Sequence, residues 1–169
     1  FYGDSLVLQR VANSFETRSV DCCYGDLVYV NEFSPELIVR YWKSGHFDRR
    51  RFYWGWMPPH PTFFVRKEVY EKYGGFKPQF ESAADYELML RFLLKHKISA
   101  AYIPEVLVKM RKGGVSNRSL INRLRANRYD RLAWKENGLH PYPWTTTLKP
   151  LRKMKQWFQK PPAKKITRR

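Results

Sequence analysis

Acidic residues, cysteines and long apolar runs are what this sequence is short of. Its 169 residues carry 15 Asp and Glu against 32 Lys and Arg, a formal net charge of +17. Such a balance predicts anionic partners, whether nucleic acid, acidic lipid or a phosphorylated substrate, and does not choose among them. After Glu136 there is no acid at all. Cys22 and Cys23 are the only cysteines, and they are adjacent. Neighbours on a strand point to opposite faces, which argues against an internal disulfide, and two lone thiols make a poor zinc site. A reducing cytosol is the simpler reading. No apolar run approaches the ~20 residues of a membrane span, and no secretory signal is visible. The chain opens on Phe1 rather than methionine, as a fragment would, and a fragment leaves an upstream signal or span open.

What is present points to a folded domain. Hydrophobic residues make up 43%, too many for a disordered chain, and the length suffices for one real core. Aromatics reach 17%, which suits a core and a sugar-stacking surface equally well. Strand and helix patterns alternate, so an α/β layer structure is expected. A first helix, capped by Asp4 or Ser5, is expected through Phe15. Residues 21–31, DCCYGDLVYVN, and 36–42, ELIVRYW, read as strands with a turn at 32–35. Residues 46–56, HFDRRRFYWGW, are basic and aromatic and carry no clear pattern, and 57–61, MPPHP, cannot be regular structure. TFFVRK is a short strand, and KEVYEKYGGF a short helix stopped at Gly74 or Gly75. Residues 97–114 read as two short strands broken at Pro104. Residues 119–138 form an amphipathic helix ended by Gly138. The domain is expected to occupy residues 1–140. Residues 141–169 then form a basic amphipathic tail, with Leu148, Leu151, Met154 or Lys155, and Phe158 on its apolar side and Trp157 beside it.

Asp85 stands out. In ESAADYELMLRF (81–92), Leu88, Met89 and Phe92 follow it by three, four and seven residues, so a helix places the acid on their stripe. A carboxylate there faces the interior or a cleft. The helix dipole and free N–H groups keep it ionised, able to take a proton from a bound hydroxyl. The plain alternative is an N-cap. Arg91, six residues on, lies on another side, and an i,i+4 ion pair with Glu87 is expected of it.

The stretch HPTFFVRKEVYEKYGGFKPQFESAADYELMLRF (60–92) resembles the acceptor-side segment of family 2 glycosyltransferases, which have the GT-A fold. The family pattern falls here on Phe63 or Phe64, Arg66 and Lys67, Gly74 and Gly75, Phe76, Asp85 and Arg91. The Tyr-Gly-Asp at 24–26 matches a strand of bacterial members, and RKGGVS (111–116) resembles their late basic Gly-Gly-x-Ser loop. The match spans about residues 1–120. It implies a partial GT-A (Rossmann-like) fold, a mixed sheet flanked by helices, without the N-terminal nucleotide-binding half. No Asp-x-Asp occurs in the chain. Either the front half that would hold the divalent metal, Mg or Mn, implied for the full-length enzyme is missing, leaving this chain inactive alone, or the chain is a degenerate, inactive relative.

The implied activity is inverting transfer of a sugar from a nucleotide-sugar donor to a saccharide or lipid-linked acceptor. Its expected setting is bacterial surface polysaccharide synthesis, in the cytoplasm or at the inner face of the plasma membrane. Asp85 would be the general base. Ala84 stands where members often have Glu, so Asp85 alone must serve. His60 would sit at the cleft edge, and Arg111, Lys112, Gly113, Gly114 and Ser116 would wrap the diphosphate. Trp56, with Tyr53 and Trp54, is a candidate for stacking on a sugar ring. Each has an ordinary alternative: a loop histidine, a basic turn, core aromatics. Two other functions compete. A nucleic-acid module is motivated by charge, but no zinc-finger or RNP-like motif appears and the charge concentrates in the tail. A membrane-surface protein is motivated by that tail, whose apolar side and Trp157 suit anionic lipid.

Overall fold

The computed structural model describes residues 1–111, 120–156 and 159, with 120–126, 150 and 153–155 given by backbone alone. Helix α1 (Val7–Arg18) leads into strand β1 (Cys22–Val30), then β2 (Ile38–Trp42), the single turn α2 (Arg50–Tyr53), β3 (Phe64–Val65) and α3 (Lys67–Tyr73). A 3₁₀ segment (Pro78–Ala83) opens into α4 (Ala84–Met89), which widens into a π-helical turn over Leu90–Lys95. Strand β4 (Ala100–Arg111) and helices α5 (Leu120–Glu136) and α6 (Thr145–Lys155) follow.

The fold is α/β, with a mixed four-stranded sheet flanked by helices, compatible with a Rossmann-like arrangement. β1 lies at its centre. It pairs in parallel with β4 along one edge, and antiparallel with β3 and then β2 along the other. A strand covered on both faces should read as a near-continuous apolar run, and β1 does. Its alternate residues serve different cores. Cys23 and Leu27 pack with Val7 and Val11 of α1. Cys22 and Tyr24 join the larger core of Phe52, Phe80, Tyr86, Phe92 and Trp134.

The two thiols therefore face opposite sides of the sheet, free and buried. Burial pushes Cys23 up to about 11 and Cys22 well above the ordinary thiol value. Neither is a thiolate at neutral pH, so neither is nucleophilic. Ellman's reagent should titrate no thiol in the native protein and both after urea unfolding. Rapid native labelling would show that the sheet opens locally.

Two features differ from the sequence expectation. Residues 100–111 form one strand, not two. The chain passes Pro104 by a bulge: Tyr24 faces Tyr102, but Asp26 faces Val106. Extra residues on β4 at that point leave the proline, which has no N–H, out of the ladder. The basic segment after residue 140 is also packed where it is described. Thr145 Oγ1 donates to the Tyr53 carbonyl at 2.7 Å, Arg152 Nε donates to the Trp54 carbonyl at 2.7 Å, and Lys149 pairs with Asp130 at 2.6 Å. Gly55, at φ +73°, lets α6 approach: a Cβ there would lie 2.8 Å from the Lys149 amide nitrogen. Thr145, Lys149 and Arg152 are thus spent on the protein itself, while Leu151 on the expected apolar side is exposed. Trp157, Phe158 and the remainder of the tail apart from Gln159 lie outside the described residues. No helix among the described residues is long and apolar enough to cross a membrane.

Candidate functional site

Tyr86 to Leu94 are all buried, so α4 and its π-helical extension run through the core rather than along it. A helix enclosed on all sides has no single apolar stripe to share. Its two ends emerge, at Lys95 and in the first turn, where Asp85 sits with its side chain 31% exposed. It is not the N-cap. That position is Ala83, and Asp85 Oδ1 instead accepts a hydrogen bond from the Tyr86 amide at 2.7 Å. The other oxygen, Oδ2, lies 3.8 Å from His60 Nδ1. His60 in turn meets the edge of the Phe76 ring, with centroids 5.8 Å apart. Positions 60, 76 and 85 converge at one half-exposed corner.

Arg91 and Glu87 build that corner from behind. Both are buried and are joined by two hydrogen bonds of 3.0 and 2.9 Å, the expected i,i+4 pair. The same guanidinium donates to three consecutive carbonyls, of Tyr73, Gly74 (2.8 Å) and Gly75 (2.6 Å). These are the carbonyls left unpaired where α3 ends. A side chain on Gly74, at φ +81°, would press within 3.3 Å of Arg91. The Gly-Gly-Phe loop is therefore held by Arg91, and Phe76 is set against His60. Asn137 (3.2 Å) and Lys77 (3.4 Å) complete the surroundings of Glu87.

The other candidates scatter. Trp56 is a core residue: it is buried, its indole N–H donates to the Ser44 carbonyl at 3.0 Å, and Phe52 lies edge-on at 5.3 Å. Its ring has no face open to a sugar. Arg111 ends β4 with an exposed side chain. Lys112, Gly113, Gly114 and Ser116 lie outside the described residues. Asp85 and His60 line neither of the two cavities described below.

A second constellation was not foreseen. Asp26, in the middle of β1, is buried, yet no described cation pairs with it. Its Oδ1 accepts from the Ser44 amide and the Tyr102 hydroxyl, both at 2.8 Å, and Oδ2 accepts from the Tyr41 hydroxyl. Burial, then the adjacent carboxylate, pushes both phenols well above their ordinary value, so they stay protonated and donate. One carboxylate thereby links β1, β2, β4 and the turn after β2. It forms part of the wall of a cavity of about 540 Å³, shared with Lys43, Gly45, His46 and Pro104. An acid inside an otherwise apolar strand was the visible signal. The partners were not readable, because they come from strands 15 and 76 residues away. Asp26→Ala should leave three buried donors without an acceptor, at about 1–3 kcal/mol each, so a loss of about 3 kcal/mol or more in urea unfolding is expected. Asp26→Asn retains an acceptor and should cost less.

The chain matched no family model, and no curated protein or solved structure matched it either. The functional reading rests on the residues themselves.

Proposed function

We propose that this chain is the acceptor-side portion of an inverting glycosyltransferase, with Asp85 as its general base. What supports the reading is the meeting of His60, Phe76 and Asp85, drawn from three parts of one motif-like stretch, at a half-exposed helix start. The carboxylate is anchored through one oxygen and open at the other, as proton transfer requires. In the reaction, Asp85 takes the proton of an acceptor hydroxyl. The acceptor oxygen bonds to the anomeric carbon as the bond to the leaving diphosphate breaks, and the configuration inverts. One base on the acceptor side is enough, in contrast to the two carboxyl groups of glycoside hydrolysis. His60, next to the base, would orient the acceptor hydroxyl.

The donor would be a nucleotide sugar, and the acceptor a saccharide or lipid-linked sugar of a bacterial surface polysaccharide. A divalent ion is expected with the donor. Among the described residues no three His, Cys, Asp or Glu side chains come together as ligands, and Glu87 is committed to Arg91. These residues do not fit such an ion. The test is sugar transfer by a protein carrying this chain together with a donor-binding half, with and without Asp85→Asn. Donor binding should persist while turnover is lost. Retained turnover removes Asp85 from the mechanism.

A further inference from the structure

Trp54, at the end of α2, and Tyr142 and Trp144, just before α6, form an exposed aromatic corner. They are 49%, 46% and 44% exposed. Their ring centroids lie 5.2 to 6.2 Å apart. Large aromatics gathered on a surface are unfavourable in water, and isolated ones would need no explanation. This cluster is held in place. The Trp54 carbonyl is tied to Arg152, the neighbouring Tyr53 carbonyl to Thr145, and α6 is seated on Gly55. No described residue pairs with the Trp54 or Trp144 indole N–H or the Tyr142 hydroxyl, so each ring carries an apolar body and a free polar tip. That combination suits the level of lipid headgroups.

Charge points the same way. Residues 137–169 hold nine Lys and Arg and no acid. Exposed Arg131 makes no ion pair among the described residues. With Pro141, Tyr142, Pro143 and Thr146 it lines a cavity of about 390 Å³ beside the aromatic corner. Lys149, by contrast, is already paired with Asp130 and is not available.

We infer that this corner is the seat of peripheral binding to an anionic phospholipid surface. Trp54, Tyr142 and Trp144 sink to headgroup level and Arg131 meets headgroup phosphate. The basic tail adds attraction without providing the anchor. The inference stands independently of the transfer reading.

Sedimentation with vesicles of mixed phosphatidylcholine and phosphatidylglycerol tests it, alongside pure phosphatidylcholine. The chain should bind the anionic vesicles, more weakly as salt rises. Brominated acyl chains should quench its tryptophan emission. Trp54→Ser with Trp144→Ser should lower partitioning about tenfold or more, since two interfacial anchors are lost. Four glutamines at Lys164, Lys165, Arg168 and Arg169 should lower it less. Wild-type binding without quenching, or an aromatic double variant that binds like wild type, overturns the inference. So does equal binding to pure phosphatidylcholine, or single-stranded RNA displacing vesicles from the same residues. The quenching result needs no variant, so a folding defect in the double variant cannot shelter the idea.

Discussion

Asp85→Asn should lower sugar transfer by about 10²–10⁴-fold, the usual contribution of a positioned base. The exchange is nearly isosteric. An amide oxygen can still accept the hydrogen bond that Asp85 Oδ1 takes from the Tyr86 amide, so the first turn of α4 keeps its local support. What disappears is the capacity to accept a proton from a hydroxyl near His60. The fold and donor affinity should therefore be unchanged, and the loss should appear in kcat. Asp85→Ala separates this role from a structural one. If the carboxylate serves the chemistry, Asn and Ala are equally inactive while Asn alone keeps wild-type stability. If it serves only the helix start, Asn restores both. His60→Ala should have a smaller effect, because it removes an orienting neighbour 3.8 Å away and leaves the base.

Arg91→Leu should destabilise the protein by about 3–5 kcal/mol, the cost of breaking a buried ion pair from one side. Glu87 would be left buried with Asn137 and Lys77 as its remaining partners among the described residues, and the carbonyls of Tyr73, Gly74 and Gly75 would lose their common donor. A domain stable by about 5–15 kcal/mol would be brought near its threshold. Urea unfolding reads the effect directly. Arg91→Lys keeps the charge but not the planar fork that serves a carboxylate and three carbonyls at once, so it should rescue only in part. A loss below about 1 kcal/mol for Arg91→Leu would mean that the Gly-Gly-Phe loop holds its shape without the guanidinium. Because that loop carries Phe76 to His60, the same variant should also weaken acceptor binding at permissive temperature. Stability and acceptor affinity should then fall together, whereas Asp85→Asn leaves both intact.

How much could be read in advance depends on the range of the interaction. The Glu87–Arg91 pair was legible because helical geometry brings i and i+4 together whatever surrounds them. The end of α3 at Gly74 and the opposite facing of Cys22 and Cys23 were legible for the same reason. The continuity of β4 through Pro104 was not, since a bulge is set by the register with β1 and not by the proline alone. Trp56 read as core more readily than as a sugar-stacking ring, but an aromatic in a basic stretch carries no mark of its burial to decide between them. Asp85 was placed on an apolar stripe, but its helix is enclosed on all sides, and only its position at an emerging end leaves it half-exposed.

The sequence by itself determined the α/β character, the first strand, the unpaired adjacent cysteines and the paired charges on α4, all of which follow from backbone periodicity over a few residues. Only the tertiary structure decided that His60, Phe76 and Asp85 share a corner, that Asp26 joins three strands, and that α6 closes on Gly55 beside an aromatic edge. Those contacts join residues from 15 to 98 positions apart. Such pairings are chosen by packing and by the satisfaction of buried polar groups, neither of which any local stretch of chain encodes.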